Sequence, residues 1–330
     1  MEEKISDLLA QYDLVVYRAG RVKGAWILET DRGLKNLNSC SYSEGKAAFE
    51  QKVKQFAAEQ GFPAIDLYVE NKENGFLVQG PYNEQFIMRN WFYGEECDVK
   101  DKGHVLETVR TLARLHNCLK GFTLSAEEQN FCLQPKVSLL LERRTKELRR
   151  VRTYIRSKKQ KSMFEQKFLA QFDAQAAKAE EAIALLDISK YDTYYQGRIA
   201  ESCMLHGDFT HHSVILLPEG GMAVTGFDKA VTGIQIQDFY QLFRKIMEKW
   251  DWDVSLGDSM LEAYQSVRPI PEEEWELLQV LLVYPEKFWK VANRYYNNRK
   301  SWIPEKNMQK LLQTMEQAKK KEESIKLLFT

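Results

Sequence analysis

His206-Gly207-Asp208-Phe209-Thr210-His211-His212-Ser213 is the stretch that decides how this chain is read. A tight turn at Gly207 places the Asp208 carboxylate where it can accept the proton of an alcohol attacking a γ-phosphate. The triplet His206-Gly207-Asp208 is weak evidence by itself. Two neighbours strengthen it: a following hairpin that ends in Gly226-Phe227-Asp228, and an upstream β-rich segment with Lys35 on an early strand.

Upstream, Leu14–Tyr17, Ala25–Thr30 and Leu34–Leu37 read as strands, with a turn from Gly20 to Gly24 and a second at Asp31-Arg32-Gly33, so two hairpins follow one another. Ser43 is placed to cap a helix in which Phe49, Val53, Phe56 and Ala57 recur at helical spacing before Gly61 stops it. Further strands are expected at Asp66–Val69, Gly75–Gln79 and Glu84–Trp91. The result is a small, mostly antiparallel sheet carrying a single helix, over residues 1–92.

Downstream of Gly94 the period changes. Val105, Val109, Leu112, Ala113 and His116 form one stripe of a helix over Asp101–Leu119. Two long charged helices, about 135–157 and 162–186, follow with little Gly or Pro and are expected to pair antiparallel. A short β-rich stretch holds Leu205–Phe209 and Met222–Asp228, and helices resume from Asp238. The fold class is therefore α+β in two lobes, the second spanning 93–330 and mostly helical.

Composition narrows the function. Lys plus Arg and Asp plus Glu are 47 each, so no global field draws nucleic acid or an anionic membrane. No segment approaches the roughly eighteen uninterrupted apolar residues of a membrane helix, and Met1–Leu14 carries Glu2, Glu3, Lys4 and Asp7 where a signal peptide would be apolar. Cys40, Cys97, Cys118, Cys132 and Cys203 are scattered and odd in number, which argues against a disulfide framework or a zinc site and for cytoplasmic synthesis.

The order of these parts resembles the aminoglycoside phosphotransferase and choline kinase superfamily, of protein-kinase-like fold, and more closely the CotS-type spore coat proteins of endospore-forming bacteria. Besides the phrase at 206–213, the resemblance rests on Gly33-Leu34-Lys35, Trp91-Phe92-Tyr93-Gly94-Glu95-Glu96-Cys97-Asp98, Leu112-Ala113-Arg114-Leu115-His116, Phe227-Asp228-Lys229-Ala230 and the segment Asp238–Lys245. It spans nearly the whole chain. It implies ATP and Mg²⁺ as cofactors, with Lys35 reaching the α- and β-phosphates and Glu50, or alternatively Glu44, as its partner. It also implies that backbone near Trp91, Phe92 and Tyr93 receives the adenine, that the Gly20–Gly24 turn covers the nucleotide, and that Asp208 is the catalytic aspartate.

Two departures bear on the metal. Ser213 stands where the family pattern has its metal-binding Asn, and Gly226 where it has its metal-binding Asp. Asp228, two residues on, shares a strand face with that position and is open to two roles, a shifted metal ligand or a hydrogen-bonding second acidic residue. Losing even ~4 kcal/mol of metal assistance slows transfer about a thousandfold. The function implied is a spore-coat-associated, kinase-like protein with impaired or absent phosphoryl transfer, with other coat proteins as partners and assembly into the coat. The alternative is an active ATP-dependent kinase for an unknown hydroxylated small-molecule acceptor.

Other residues have plainer roles. Adjacent His211 and His212 diverge and read as loop packing, His116 as a core histidine, and Asp238 as a helix N-cap. Between Glu142 and Lys161 ten basic residues face only two acidic ones. That surplus either binds an anionic polymer such as nucleic acid or, the favoured reading, is a solvated face neutralised by Glu165, Asp173, Glu180 and Glu181. Trp250, Trp252, Trp275, Trp289 and Trp302, with Tyr284, Tyr295 and Tyr296, are expected mostly in the core.

Overall fold

The computed structural model describes residues 2–41, 43–132, 135–297 and 304–329, so Trp302 lies outside the described residues. After α1 (Glu2–Leu9) come β1 (Val16–Val22), β2 (Ala25–Thr30) and β3 (Gly33–Cys40), then α2 (Glu44–Glu59), β4 (Leu77–Gln79) and β5 (Gln85–Asn90). These strands form one antiparallel sheet in the order β1-β2-β3-β5-β4. Lys23 and Gly24 join β1 to β2 with φ of 49° and 92°, the doubly left-handed turn that matches strand twist. Ser43 caps α2, its Oγ accepting from Lys46 N at 3.3 Å.

Register assigns the two faces of this sheet. Lys35 pairs with Leu28 and Asn90, and Leu37 with Trp26 and Met88, so all six share one face. Leu8 and Tyr12 cover that face with Leu28, Leu37, Val78 and Met88. The opposite face carries Ile87, which packs with Ala47 of α2 and with Tyr68. Two expectations change here. Two helices serve the sheet rather than one, because the charged N-terminal segment buries Leu8. Residues 66–69 make only an isolated bridge, Tyr68 to Arg89, because Asp66 turns toward an ion-pair network.

From β5 the chain passes through Trp91–Gly94 into β6 (Glu95–Glu96). Gly94 has φ 152°, and a Cβ there would lie 2.0 Å from the Leu216 carbonyl oxygen, so only glycine fits. The second lobe continues with α3 (Lys102–Cys118), α4 (Ala126–Cys132), α5 (Val137–Ser157), α6 (Met163–Ile188) and α7 (Tyr191–Ala200). Next are β7 (Met204–Leu205), a 3-10 turn at His211–Ser213, β8 (Val214–Leu216), β9 (Met222–Val224) and β10 (Val231–Thr232). The chain closes with α8 (Ile236–Met247), α9 (Val254–Gln265), α10 (Glu272–Val283), α11 (Glu286–Asn297), α12 (Pro304–Glu316) and α13 (Ala318–Leu328). Strand β8 lies between β6 and β9, and β7 pairs with β10.

The main core joins the α3 stripe Val105, Val109, Leu112 and Ala113 to Phe239 and Phe243 of α8 and Tyr264 of α9. Full burial of each such large side chain contributes roughly 1.5–3 kcal/mol. The α5–α6 hairpin is stapled by Arg149–Glu180 at 2.7 Å, Arg152–Asp173 at 2.8 Å and Lys158–Glu165 at 2.6 Å. Its basic face is thus partly neutralised from across the hairpin, although Glu181 pairs with Lys178 instead. Trp252 and Tyr284 are buried, and Trp289 donates to Glu147 at 2.7 Å. Among the described residues no helix is long and apolar enough to cross a membrane.

Candidate functional site

The phrase around Asp208 leaves β7 and is held from beneath by α8. Asp238 Oδ2 accepts from His206 N at 2.7 Å, and Asp238 Oδ1 from Gly207 N at 3.0 Å. Gln235 occupies the N-cap of α8, so Asp238 lies inside the first turn and is not the cap its position suggested. The helix starts earlier because Ile234 and Ile236 are drawn into the core. His116 is buried as expected, between Tyr264 Oη at 2.6 Å and Asp238 Oδ2 at 3.4 Å. Gly207 has φ 84°, and a Cβ there would lie 1.8 Å from the Lys229 carbonyl oxygen.

The Asp208 carboxylate is half-exposed and meets two ammonium groups, Lys229 Nζ at 2.6 Å and Lys245 Nζ at 3.9 Å. Burial holds the Lys245 pKa below its usual value; the pull of Asp208 opposes this, and Arg244, Lys290 and Lys229 reinforce it. Lys229 and Lys245 were not singled out from the sequence, although both stand in the quoted phrases 227–230 and 238–245.

At the remaining positions oxygen is scarce or engaged. Ser213 Oγ accepts from Thr210 N at 3.1 Å in a reciprocal capping arrangement and lies 3.4 Å from the Asp208 carbonyl oxygen. Gly226 has φ 83°, nothing lies within 4 Å of where its Cβ would be, and its N–H donates to Asp66 Oδ2 at 3.1 Å. Asp228 Oδ1 lies 3.6 Å from Arg89 Nη2. Among the described residues no three of His, Cys, Asp or Glu gather in a metal-binding group.

Behind Gly226 sits an ion-pair network that sequence reasoning missed. Asp66 is fully buried, with Lys54 Nζ at 3.1 Å and Arg89 Nη1 at 3.4 Å. Burial pushes the Lys54 pKa down to about 8 against the attraction of Asp66. Its ammonium stands 3.6 Å from the Tyr68 ring centre. Nothing local marks these residues, because Lys54 lies on α2, Asp66 in a loop and Arg89 on β5.

Lys35 and Glu50 are not brought together. Lys35 lies on the face of Leu28 and Leu37, away from α2, and its Nζ donates to the Arg32 carbonyl oxygen. Burial, then the neighbouring Arg32, holds its pKa down. Glu50 accepts from Tyr68 Oη and pairs with Lys46 at 3.3 Å, while burial pushes its pKa up. Glu44 accepts from the backbone of Phe76 and Leu77 instead. On the α2 side of the sheet, the strand positions flanking Lys35 and its partner Asn90 are Asn36 and Arg89.

Trp91 N donates to Leu34 O at 2.9 Å, and the Trp91 and Phe92 rings rest half-buried against Ala64, Ile215 and Ala223. Tyr93 is exposed. The β1–β2 turn reaches this crossing, where Lys23 pairs with Glu96, and His212 lies 3.7 Å from the same carboxylate.

A family model described as "Spore coat putative kinase YutH" matches residues 5–328. Spore coat protein S of Bacillus subtilis (strain 168) is 24% identical over 312 residues, covering 92% of this chain and 88% of that protein. The crystal structure of an aminoglycoside phosphotransferase from Alicyclobacillus acidocaldarius has a TM-score of 0.85 at 21% identity, covering 97% of this chain and 93% of that one. The AMP-bound spectinomycin phosphotransferase APH(9)-Ia has a TM-score of 0.65 at 11% identity, covering 100% and 98%. At these identities the two structures speak for the fold, a two-lobed kinase-like one with a small antiparallel sheet lobe and a larger helical lobe. With a family match running almost from end to end, the chain belongs to the spore coat YutH family.

Proposed function

We propose that this chain is a spore-coat-associated protein on a phosphotransferase scaffold, that its phosphoryl transfer is impaired or absent, and that it acts through binding or assembly. One observation carries the reading: Gly226 offers no side-chain oxygen where the metal carboxylate is expected. Mg²⁺ demands near-octahedral oxygen ligands and is held by one or two carboxylates plus phosphates. Ser213 Oγ is already engaged by Thr210 N, and Asp228 faces Arg89. The residues present do not fit a Mg²⁺ site of the expected kind. In this reading the chain is made in the cytoplasm and joins other coat proteins, residues 1–92 and 93–330 are its two units, and backbone near Trp91–Tyr93 receives any nucleotide.

A second reading, an active ATP-dependent kinase for a hydroxylated small molecule, draws on one feature: Asp208 remains half-exposed on a loop anchored by Asp238. Asp208 would then accept the acceptor's proton. Titration calorimetry with ATP, with and without Mg²⁺, separates the two. Weak binding indifferent to Mg²⁺ is expected; tight, metal-dependent binding with turnover abolished by Asp208→Ala establishes the second.

A further inference from the structure

Beside Asp208 the second lobe opens into a cavity of about 880 Å³, walled by the His211-His212 turn, the end of α8, and facing residues of α11 and α12. That volume falls among those of small-molecule sites. Seven Lys or Arg line it against one acid, Glu248, in a chain whose overall charge is zero.

The ion pairs compensate this charge only in part. Glu248 is shared by Arg244 at 2.5 Å and Lys287 at 3.1 Å. Lys290 pairs with Glu286, and Lys245 must share Asp208 with Lys229. Lys249, Arg294 and Lys310 have no carboxylate within ion-pair distance among the described residues, although Glu248 is near enough to attract Lys310. Lys249 Nζ instead lies 3.1 Å from His211 Nε2. Burial first, with Arg294, Lys306 and Lys287 adding to it, holds the Lys310 pKa below its usual value against the pull of Glu248.

His211 Nδ1 and Arg244 Nε are buried without a hydrogen-bond partner among the described residues, on side chains only 7% and 6% exposed. Buried polar atoms left unpaired cost about 1–3 kcal/mol each, so the wall to which His211 and Arg244 belong is short of internal hydrogen-bond partners. His211 packs in its loop, as its sequence position suggested, and also lines the cavity.

We infer that this cavity is a binding site for a small polyanion, a molecule carrying two or more phosphate or carboxylate groups. Converging guanidinium and ammonium groups recognise such anions through charge-assisted hydrogen bonds, and the same field repels a polycationic aminoglycoside. The site stands whether or not Asp208 transfers phosphate. Lys245, which joins the cavity to Asp208, places any bound anion next to that carboxylate.

Titration calorimetry of the full chain at low salt tests this with fructose 1,6-bisphosphate as the phosphate probe and citrate as the carboxylate probe. Binding of at least one is expected, weakened about tenfold or more, ~1.4 kcal/mol, by Arg294→Gln combined with Lys310→Gln. Arg294 is exposed and Lys310 half-buried, and exposed Arg150→Gln with Arg156→Gln on the α5 face serves as the control and is expected to change nothing. Binding of neither probe, equal loss in both double variants, or tighter binding of kanamycin overturns the inference. ATP titration of the same protein reads the nucleotide cleft separately: metal-dependent ATP binding with no bisphosphate or citrate binding sinks this site alone.

Discussion

Asp238 Oδ2 accepts the His206 backbone N–H at 2.7 Å, tying α8 to the loop that presents Asp208. The carboxylate is fully buried and also serves Gly207 N and His116. Asp238→Ala leaves two backbone donors unpaired and is expected to cost about 3 kcal/mol or more in urea unfolding. Asp238→Asn retains one acceptor and should cost less. A loss under about 1 kcal/mol for Ala would mean that the carboxylate does not hold the loop.

Two buried lysines of the first lobe should behave differently. Lys54→Met strips Asp66 of its nearest cation and is expected to destabilise by about 3 kcal/mol or more. Lys35→Met removes a desolvated ammonium whose hydrogen bond goes to one backbone oxygen, and should change stability by about 1 kcal/mol or less. Equal costs in urea titrations would contradict the assignment of the two faces.

Restoring the family's ligand chemistry is a direct test of the metal argument. There is room at Gly226, so Gly226→Asp faces only its positive φ, a strain of about 1 kcal/mol. Combined with Ser213→Asn, it is expected to tighten Mg²⁺-dependent ATP binding about tenfold or more, ~1.4 kcal/mol. No gain by calorimetry would mean that these two positions are not what limits the cleft.

Acid should destabilise the fold through His211. Burial first, then His212, Lys249 and Lys245, push its pKa from 6.5 down to about 4, with Glu96 opposing. The unfolded chain therefore takes up the proton first, so stability is unaffected above pH 6.5 and falls as pH drops from 6.5 toward 4. At pH 5 the loss from this group is at most about 2 kcal/mol. Urea midpoints between pH 7.5 and pH 5 should flatten by that amount in His211→Gln. Buried His116, whose pKa is also lowered, keeps part of the slope in that variant. An unaltered profile in the variant would remove His211 as a contributor.

Local patterns were readable wherever their cause was local. Helix α2 begins at the Ser43 cap and ends before Gly61, whose φ is 89°, as spacing and capping chemistry required. The α5–α6 hairpin follows from two uninterrupted charged helices and the capping box of Ser162 with Glu165. Short strands were harder. A run such as 66–69 has strand composition, yet Asp66 belongs to an ion-pair network whose other members are 12 and 23 residues away. The helical stretch at Glu2–Leu9 escaped because its charges concealed how few apolar contacts an eight-residue helix needs once a sheet is there to receive them.

The first two hairpins, α2, α3, the α5–α6 pair, the turn glycines and the loop at 206–213 were set by sequence alone, because periodicity, caps and φ preferences act over a few residues. Which face of β3 carries Lys35, what Asp66 pairs with, and why Arg294 and Lys310 meet His211 at one cavity were decided by tertiary structure. A one-residue change of strand phase reverses a side chain's face, and charges far apart in sequence are summed only where the fold brings them together.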